Sequence, residues 1–261
     1  MSKTAEDIRE FKKQDKQYHE EKHTIVSYDR RITKKYQLEH KYYTVNKWIE
    51  KMIDEKTSLV LDFGCGTGSV TLQLLEKGIK TISCDASLGM LNELQRKAGA
   101  RGLKCICKVA DVENLPFKND TFEALVCTGV LHHLPDIKKA VKEQLRVIKK
   151  GGLLFIAEPT SNRSWVSCIY WKMVDIVKAI FRLLRKPRLE TQERPLDKED
   201  INEILHVLKN EATMFSVTYL IYWPIVAGYF PEFLAYPFIR FLNKINKSSY
   251  KGDSVIIEVK K

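Results

Sequence analysis

The chain has 261 residues, 44% hydrophobic and 30% charged, with a formal net charge of +11. That length and balance suit one globular domain with a full core and some added helices, and the basic excess keeps open a nucleic acid or an anionic membrane as partner. Six cysteines with no C-x-x-C and no zinc-like spacing exclude a metal centre legible in the sequence. Cys65, Cys84 and Cys127 fall at predicted strand ends, Cys105 and Cys107 within a strand, and Cys168 in a helix. The expected state is buried and reduced, which implies a reducing, cytoplasmic compartment.

The first stretch, MSKTAEDIREFKKQDKQYHEEKH, is too charged for a signal peptide. Residues 1–56 read as helices rich in both charge signs. Ile25-Val26-Ser27-Tyr28-Asp29 lies in their middle, and Tyr42 to Ile49 leads into the first strand. Two readings stay open for this segment. It is a solvated helical lid against the sheet edge, or Tyr18, His23 or Tyr28 closes over a bound ligand.

Leu59, Val60, Leu61 and Phe63 then lead into Gly64-Cys65-Gly66-Thr67-Gly68, followed by Val70, Leu72, Leu74 and Leu75 at helical period. Strand, glycine turn and helix N-terminus in that order hold a small polar ligand at the helix start. Glycine lets the backbone turn sharply and approach a ligand closely. The spacing is G-x-G-x-G rather than the dinucleotide G-x-G-x-x-G. Asp62, just before it, repels a pyrophosphate but suits a ligand carrying an ammonium and a sulfonium. Asp85 ends a second predicted strand (80–84), Asp111 follows a third (105–110), and Leu131-His132-His133-Leu134-Pro135-Asp136 follows a fourth (124–127). Gly151-Gly152 opens a fifth through Ile156. Strands alternating with helices predict a parallel sheet covered on both faces, with ligands at the C-terminal strand ends.

Asp62-Phe63-Gly64-Cys65-Gly66-Thr67-Gly68 resembles the first motif of class I S-adenosylmethionine (SAM)-dependent methyltransferases, and the later marks come in that family's order. The pattern is similar to the type 11 and ubiquinone–menaquinone-biosynthesis methyltransferases, and it covers residue 58 to about residue 160. The resemblance implies an α/β, Rossmann-like, seven-stranded sheet with helices on both faces. It places an N-terminal helical lid over 1–56 and a SAM-binding core over 57–261, with a helical insertion at about 221–250 before the last strand. It implies SAM as cofactor and S-adenosyl-L-homocysteine as product. Cofactor contacts are expected at Asp62, Gly64, Cys65, Gly66, Thr67, Gly68, Asp85, Ala86, Met90, Ala110, Asp111, Val112, Thr128 and Gly129. Asp85 offers paired acceptors to the ribose hydroxyls, Met90 packs on adenine or its ribose, Asp111 takes the adenine amino group, and Val112 donates its N–H. Each aspartate alone reads as an ordinary helix cap or turn residue; it is the set in register with the glycine turn that points to a ligand.

Tyr28-Asp29 resembles a Tyr-Asp pair often found ahead of the first motif, and Leu131-His132-His133-Leu134 resembles the loop of many small-molecule methyltransferases. His132, His133 and Tyr28 are the candidate general bases; in the alternative, one histidine only packs. The (D/N)-P-P-(Y/F) mark of amino methylation is missing, and Glu158-Pro159-Thr160 has no assigned role.

Beyond residue 160, Trp165 to Leu184 is helical by period, with Lys172, Asp175, Lys178, Arg182 and Arg185 along one face. It reads as a membrane-surface element or as a packed helix. A short helix through Asn210, a sixth strand over 215–220 and a last strand over 254–259 come next. Between those two strands, residues 221–239 are apolar and aromatic but broken by Pro224, Gly228, Pro231 and Pro237, which argues against a transmembrane helix. Such a surface suits an apolar substrate pocket, a membrane contact or an oligomer interface. These features predict methyl transfer to a small-molecule or lipid-type acceptor, in the cytoplasm or peripherally at the inner membrane face. RNA methylation, with nucleic acid as partner, rests on net charge alone, and a SAM-binding protein without turnover is the third reading. The oligomeric state is not legible.

Overall fold

The computed structural model describes residues 5–21, 25–26, 28–29, 35–161, 194–220 and 254–261. The basic run 165–184, the aromatic insert 221–250, His23 and Cys168 lie outside the described residues.

Helix α1 (Ala5–Glu20) and helix α2 (Lys35–Asp54) precede strand β1 (Leu59–Phe63), and the alternation then runs α3 (Thr71–Glu76), β2 (Lys80–Asp85), α4 (Leu88–Gly99), β3 (Ile106–Val109) and β4 (Phe122–Thr128). A 3₁₀ turn (Leu131–His133), α5 (Ile137–Val147), β5 (Ile148–Pro159), α6 (Lys198–Glu211), β6 (Met214–Leu220) and β7 (Ser254–Lys260) complete the described elements. Local chemistry sets several helix starts. The Ser87 hydroxyl accepts from the Met90 N–H to cap α4, and Asp136 accepts from Lys139 to cap α5. Asp197 and Asp200 form a reciprocal capping box on α6.

The seven strands lie in the order β3-β2-β1-β4-β5-β7-β6. β1 to β5 are parallel. The final pair departs from the expected parallel pattern, because β7 runs antiparallel to both β5 and β6. β5 also begins three residues before the predicted glycine entry. Ile148 pairs with Phe122 and Leu153 with Ala124, so residues 149–152 bulge out of the ladder. Gly152 sits there because a Cβ would come 2.7 Å from the Glu123 carbonyl oxygen.

Both faces of the central strands are buried, and adjacent residues feed opposite layers. Leu61, Leu125, Cys127, Leu154 and Ile156 join Val141, Leu145, Ile204 and Leu208 of α5 and α6 in one cluster. Val60, Ala124, Val126, Leu153 and Phe155 join Val45, Trp48, Ile49 and Met52 of α2 in another. The Trp48 ring stacks on Phe155 at 5.1 Å and its Nε1 donates to Glu258 at 3.0 Å. The second half of the N-terminal segment is therefore one of the layers that closes the core.

Cys65, Cys84 and Cys127 are buried and free, as expected. Cys105 and Cys107 are only partly buried, with sulfurs 3.4 Å apart, because β3 is an edge strand whose Ile106 and Val109 are also exposed. Among the described residues, no helix is long and apolar enough to cross a membrane.

Candidate functional site

The C-terminal ends of β1, β2 and β4 meet at the glycine loop. Gly64 takes φ +66°, where a side chain is strained, and a Cβ there would lie 2.5 Å from Val130. The Cys65 N–H donates to the Cys84 carbonyl at 2.9 Å, and the Gly66 N–H donates to Asp85 Oδ2 at 2.8 Å. The other Asp85 oxygen accepts from the Ser87 N–H at 2.9 Å. Burial pushes the Asp85 carboxyl up, while those two N–H groups pull it down; the net shift is upward. Each oxygen retains a further lone pair for a hydroxyl donor.

Asp62 makes structural contacts at the end of β1. It is 1% exposed, and Oδ2 accepts from both the Thr71 N–H (3.0 Å) and the Thr71 hydroxyl (2.5 Å). The Thr71 hydroxyl also lies 2.7 Å from Ser83 Oγ. The carboxylate thus ties the end of β1 to the first turn of α3 and shapes the loop between them. Thr67 Oγ1 donates to Asp29 Oδ1 at 2.8 Å, and Lys97 pairs with the same oxygen at 2.6 Å. The Tyr28 ring lies over Gly66, with its hydroxyl 3.3 Å from where a Cβ would stand. The Tyr28-Asp29 pair is thereby brought to the glycine loop from far along the chain.

On the other flank of the loop stands a residue to which the sequence assigned no role. Glu158, at the end of β5, is 1% exposed. Its Oε1 accepts from the Val130 (2.8 Å) and Leu131 (3.0 Å) N–H groups, and Oε2 lies 2.8 Å from His132 Nδ1. Burial would push this carboxyl up, but His132 and the two N–H groups outweigh it and hold it below the usual range. An ionised Glu158 makes Nδ1 the donor, so in the neutral imidazole the lone pair of His132 is on Nε2. Thr128 ends β4, and Gly129, at φ +68°, donates to the Ala157 carbonyl at 2.9 Å as the chain turns toward His132.

α1 lies across these strand ends. Lys12 pairs with Asp111 (3.0 Å) and with buried Glu113, and the His19 carbonyl accepts from Ser87 Oγ at 3.1 Å. Asp15 Oδ1 lies 3.6 Å from His19 Nε2 and 3.5 Å from His133 Nδ1. Burial works against the Asp15 charge, but His133 and His19 hold the carboxyl well below its ordinary range. Lys12, Asp15 and His19 share one helix stripe at i, i+3 and i+7, which was the available sign of an inward face. Asp111, expected to meet an adenine amino group, accepts in this structure from Lys12 and from the Glu113 N–H at 3.0 Å. Ala110 and Val112 are buried beside it, and the Ala110 N–H donates to the Asp85 carbonyl. Met90 is buried in the first turn of α4, and Ala86 is exposed.

Glu158 had one sequence signal, a carboxylate ending the apolar run Leu153 to Ala157. Glu113 had none, since its partners Lys12 and the Asp136 N–H (3.1 Å) are distant in sequence.

Residues 61–156 match the model of the methyltransferase domain family. A demethylmenaquinone methyltransferase from Thermobifida fusca is 39% identical over 101 residues, 38% of this chain and 43% of that protein. A ubiquinone biosynthesis O-methyltransferase from Coxiella burnetii is 32% identical over 142 residues, 54% of this chain and 58% of that protein. The chain thus spans about half the length of these relatives. In fold, magnesium protoporphyrin IX methyltransferase from Synechocystis, solved with bound SAH, superposes at a TM-score of 0.61. It is 16% identical, over 96% of this chain and 99% of that one. A SAM-dependent methyltransferase from Thermotoga maritima, described as a possible histamine N-methyltransferase, superposes at 0.58 with 18% identity, over 94% and 99% of the two chains. The glycine loop and the acidic strand ends Asp85 and Asp111 lie within residues 61–156, the stretch that matches the methyltransferase domain family.

Proposed function

We propose that this protein transfers the methyl group of SAM to a hydroxyl or ring carbon of a small-molecule or lipid-type acceptor, with a quinol-like ring as the first candidate. The observation that carries the reading is the pairing of the Gly64–Gly68 loop with Asp85 on one flank and the His132–Glu158 pair on the other. The residues fit the cofactor, because the loop presents bare backbone at the strand ends and Asp85 keeps acceptor capacity beside it. Asp85 would hold the ribose hydroxyls, the Gly64–Gly68 backbone with Asp62 behind it the amino-acid end, and Asp111 with Val112 the adenine. Thr128, Gly129, Cys65, Thr67, Ala86, Ala110 and Met90 would line the remainder. SAM supplies a methyl group on a sulfonium, an excellent leaving group, and S-adenosylhomocysteine is the product.

The chain then has two tasks, alignment and exclusion of water. His132 Nε2 is the base that would accept the proton of an acceptor hydroxyl, with Glu158 holding the tautomer and stabilising the imidazolium that forms. α1 is the lid. In this state Lys12 holds the Asp111 rim, and Tyr28 covers Gly66. The acceptor class is supported by the quinone-pathway names of the relatives and by the apolar, aromatic sequence of residues 221–239. A cytoplasmic protein touching an anionic membrane with its basic 165–185 run accords with the same sequence pattern.

The test is a calorimetric titration with SAM and with S-adenosylhomocysteine, then radiolabelled methyl transfer to a lipid extract containing demethylated quinols. Binding of both ligands, with label entering the organic phase, supports the reading. Binding without label in that phase turns the search to soluble acceptors, and absence of binding overturns the proposal.

A further inference from the structure

The stripe on α1 that faces the strand ends carries more than a lid contact. Asp15 and His19 stand one helical turn apart, and α1 delivers both to His133 on the 3₁₀ turn after β4. A carboxylate oxygen and one nitrogen from each ring lie within 4.8 Å of one another. Two of the three separations, 3.6 and 3.5 Å, are close to the edge of a tetrahedron built on metal–ligand bonds of about 2.1 Å, which is about 3.4 Å. Two imidazoles and one carboxylate are a donor set that zinc and similar divalent transition ions take with a fourth position left open.

The surroundings pre-form this arrangement. The N–H groups of Val130 and Leu131 are fixed by Glu158, so the turn bearing His133 is rigid. The His132 ring, held by the same carboxylate, lies against His133 with centroids 4.1 Å apart. On the helix side, Lys12 pins α1 one turn upstream, and the His19 carbonyl is anchored by Ser87. The His19 ring meets His133 edge-on at 5.3 Å. All three ligand side chains are partly buried, with exposures of 33%, 18% and 21% for Asp15, His19 and His133.

We propose that Asp15, His19 and His133 bind one divalent transition-metal ion of the zinc type, which fastens α1 to the turn after β4 over the mouth of the crevice. Two ligands belong to the helix and one to the body of the domain, so the ion is bound fully only when α1 is docked. Its binding free energy therefore stabilises the docked state by mass action. The absence of any metal motif in the sequence is consistent with this, since the third ligand is over a hundred residues from the other two. The ion is held whether or not cofactor is present, so the site stands independently of methyl transfer.

The experiment uses the full chain stripped with a chelator and titrated with zinc chloride against a chromophoric chelator, without SAM or acceptor. Cobalt chloride provides a parallel visible spectrum. The expected result is one zinc per chain, a cobalt spectrum of tetrahedral intensity, and slower amide exchange across α1 when zinc is added. Loss of outer-sphere partners alone weakens metal sites about 10–100-fold, so Asp15→Asn, His19→Ala and His133→Ala should each weaken zinc at least tenfold. His206→Ala, on the remote α6, should bind as the parent does. Far-UV circular dichroism verifies that each variant is folded, and Asp15→Asn keeps the side-chain shape. Substoichiometric binding, or a His19→Ala/His133→Ala double variant that binds zinc like the parent, overturns the site and leaves a hydrogen-bonded triad.

Discussion

Replacing Glu158 with glutamine keeps the shape of the side chain and removes its charge, and the hydrogen-bond pattern determines the consequences. Both N–H groups, of Val130 and Leu131, go to the same oxygen, Oε1, and the amide oxygen of glutamine can still take them. The other oxygen is replaced by an NH₂ group 2.8 Å from His132 Nδ1, where two donors would face each other. The imidazole relieves the clash by moving its proton to Nε2, so Nδ1 accepts. Nε2 is then no longer a lone pair pointing at the acceptor. A charge-assisted hydrogen bond becomes a neutral one inside a buried site, a loss of about 2 kcal/mol. For a chain of this size that corresponds to a fall in Tm of about 4–8 °C. If His132 is the base, kcat should fall by about 10²–10⁴, while SAM affinity from calorimetry stays within twofold. Glu158 also contributes pH dependence. Its folded carboxyl titrates below the ordinary 4.5, so its stabilisation is present above that value and is lost as pH falls through the folded pKa. The parent should therefore lose more stability on acidification than Glu158→Gln does. An equal Tm, an equal acid slope and an unchanged kcat in the variant would refute the Glu158–His132 argument.

Asp85→Ala removes the acceptor of the Gly66 and Ser87 N–H groups together with the proposed ribose contact, and SAM titration should show at least a tenfold loss of affinity. Gly64→Val introduces a branched side chain at positive φ and against Val130; cofactor binding should be lost while far-UV circular dichroism keeps the helical signal. Trp48→Ala leaves a cavity under Phe155 and removes the indole N–H donor from Glu258, which keeps its ion pair with Lys51; it should cost about 3–5 kcal/mol in urea denaturation with little change in SAM affinity once folded. Lys12→Ala takes the cation from Asp111 and from buried Glu113. Amide exchange should speed up in α1 and stay unchanged in α2, whose Trp48 and Met52 are in the core.

Local patterns were sufficient for the strand and helix series of the core, because a strand buried on both faces needs an unbroken apolar run and a glycine turn has few substitutes. Val60 and Leu61, or Phe155 and Ile156, read as neighbours in one run and emerge in opposite layers, as the period of two requires. The Asp62–Gly68 signature was likewise legible as a strand–turn–helix unit, and Asp85 as the end of the next strand. The antiparallel placement of β7 was beyond that reach, as was the incorporation of α2 into the core, because pairing partners are chosen by the whole sheet. The same holds for the roles of single charges. Asp62 proved to be the tie between β1 and α3, and Glu158 the anchor of His132. Asp111 was engaged by Lys12. For Glu158 and Asp111 the deciding partner is a donor brought within about 3 Å by packing from a distant part of the chain. Composition and periodicity determined which segments would be strands, helices and the ligand-facing turn. Only the tertiary structure decided which charges meet there, because a buried carboxylate takes its role from the donors that surround it.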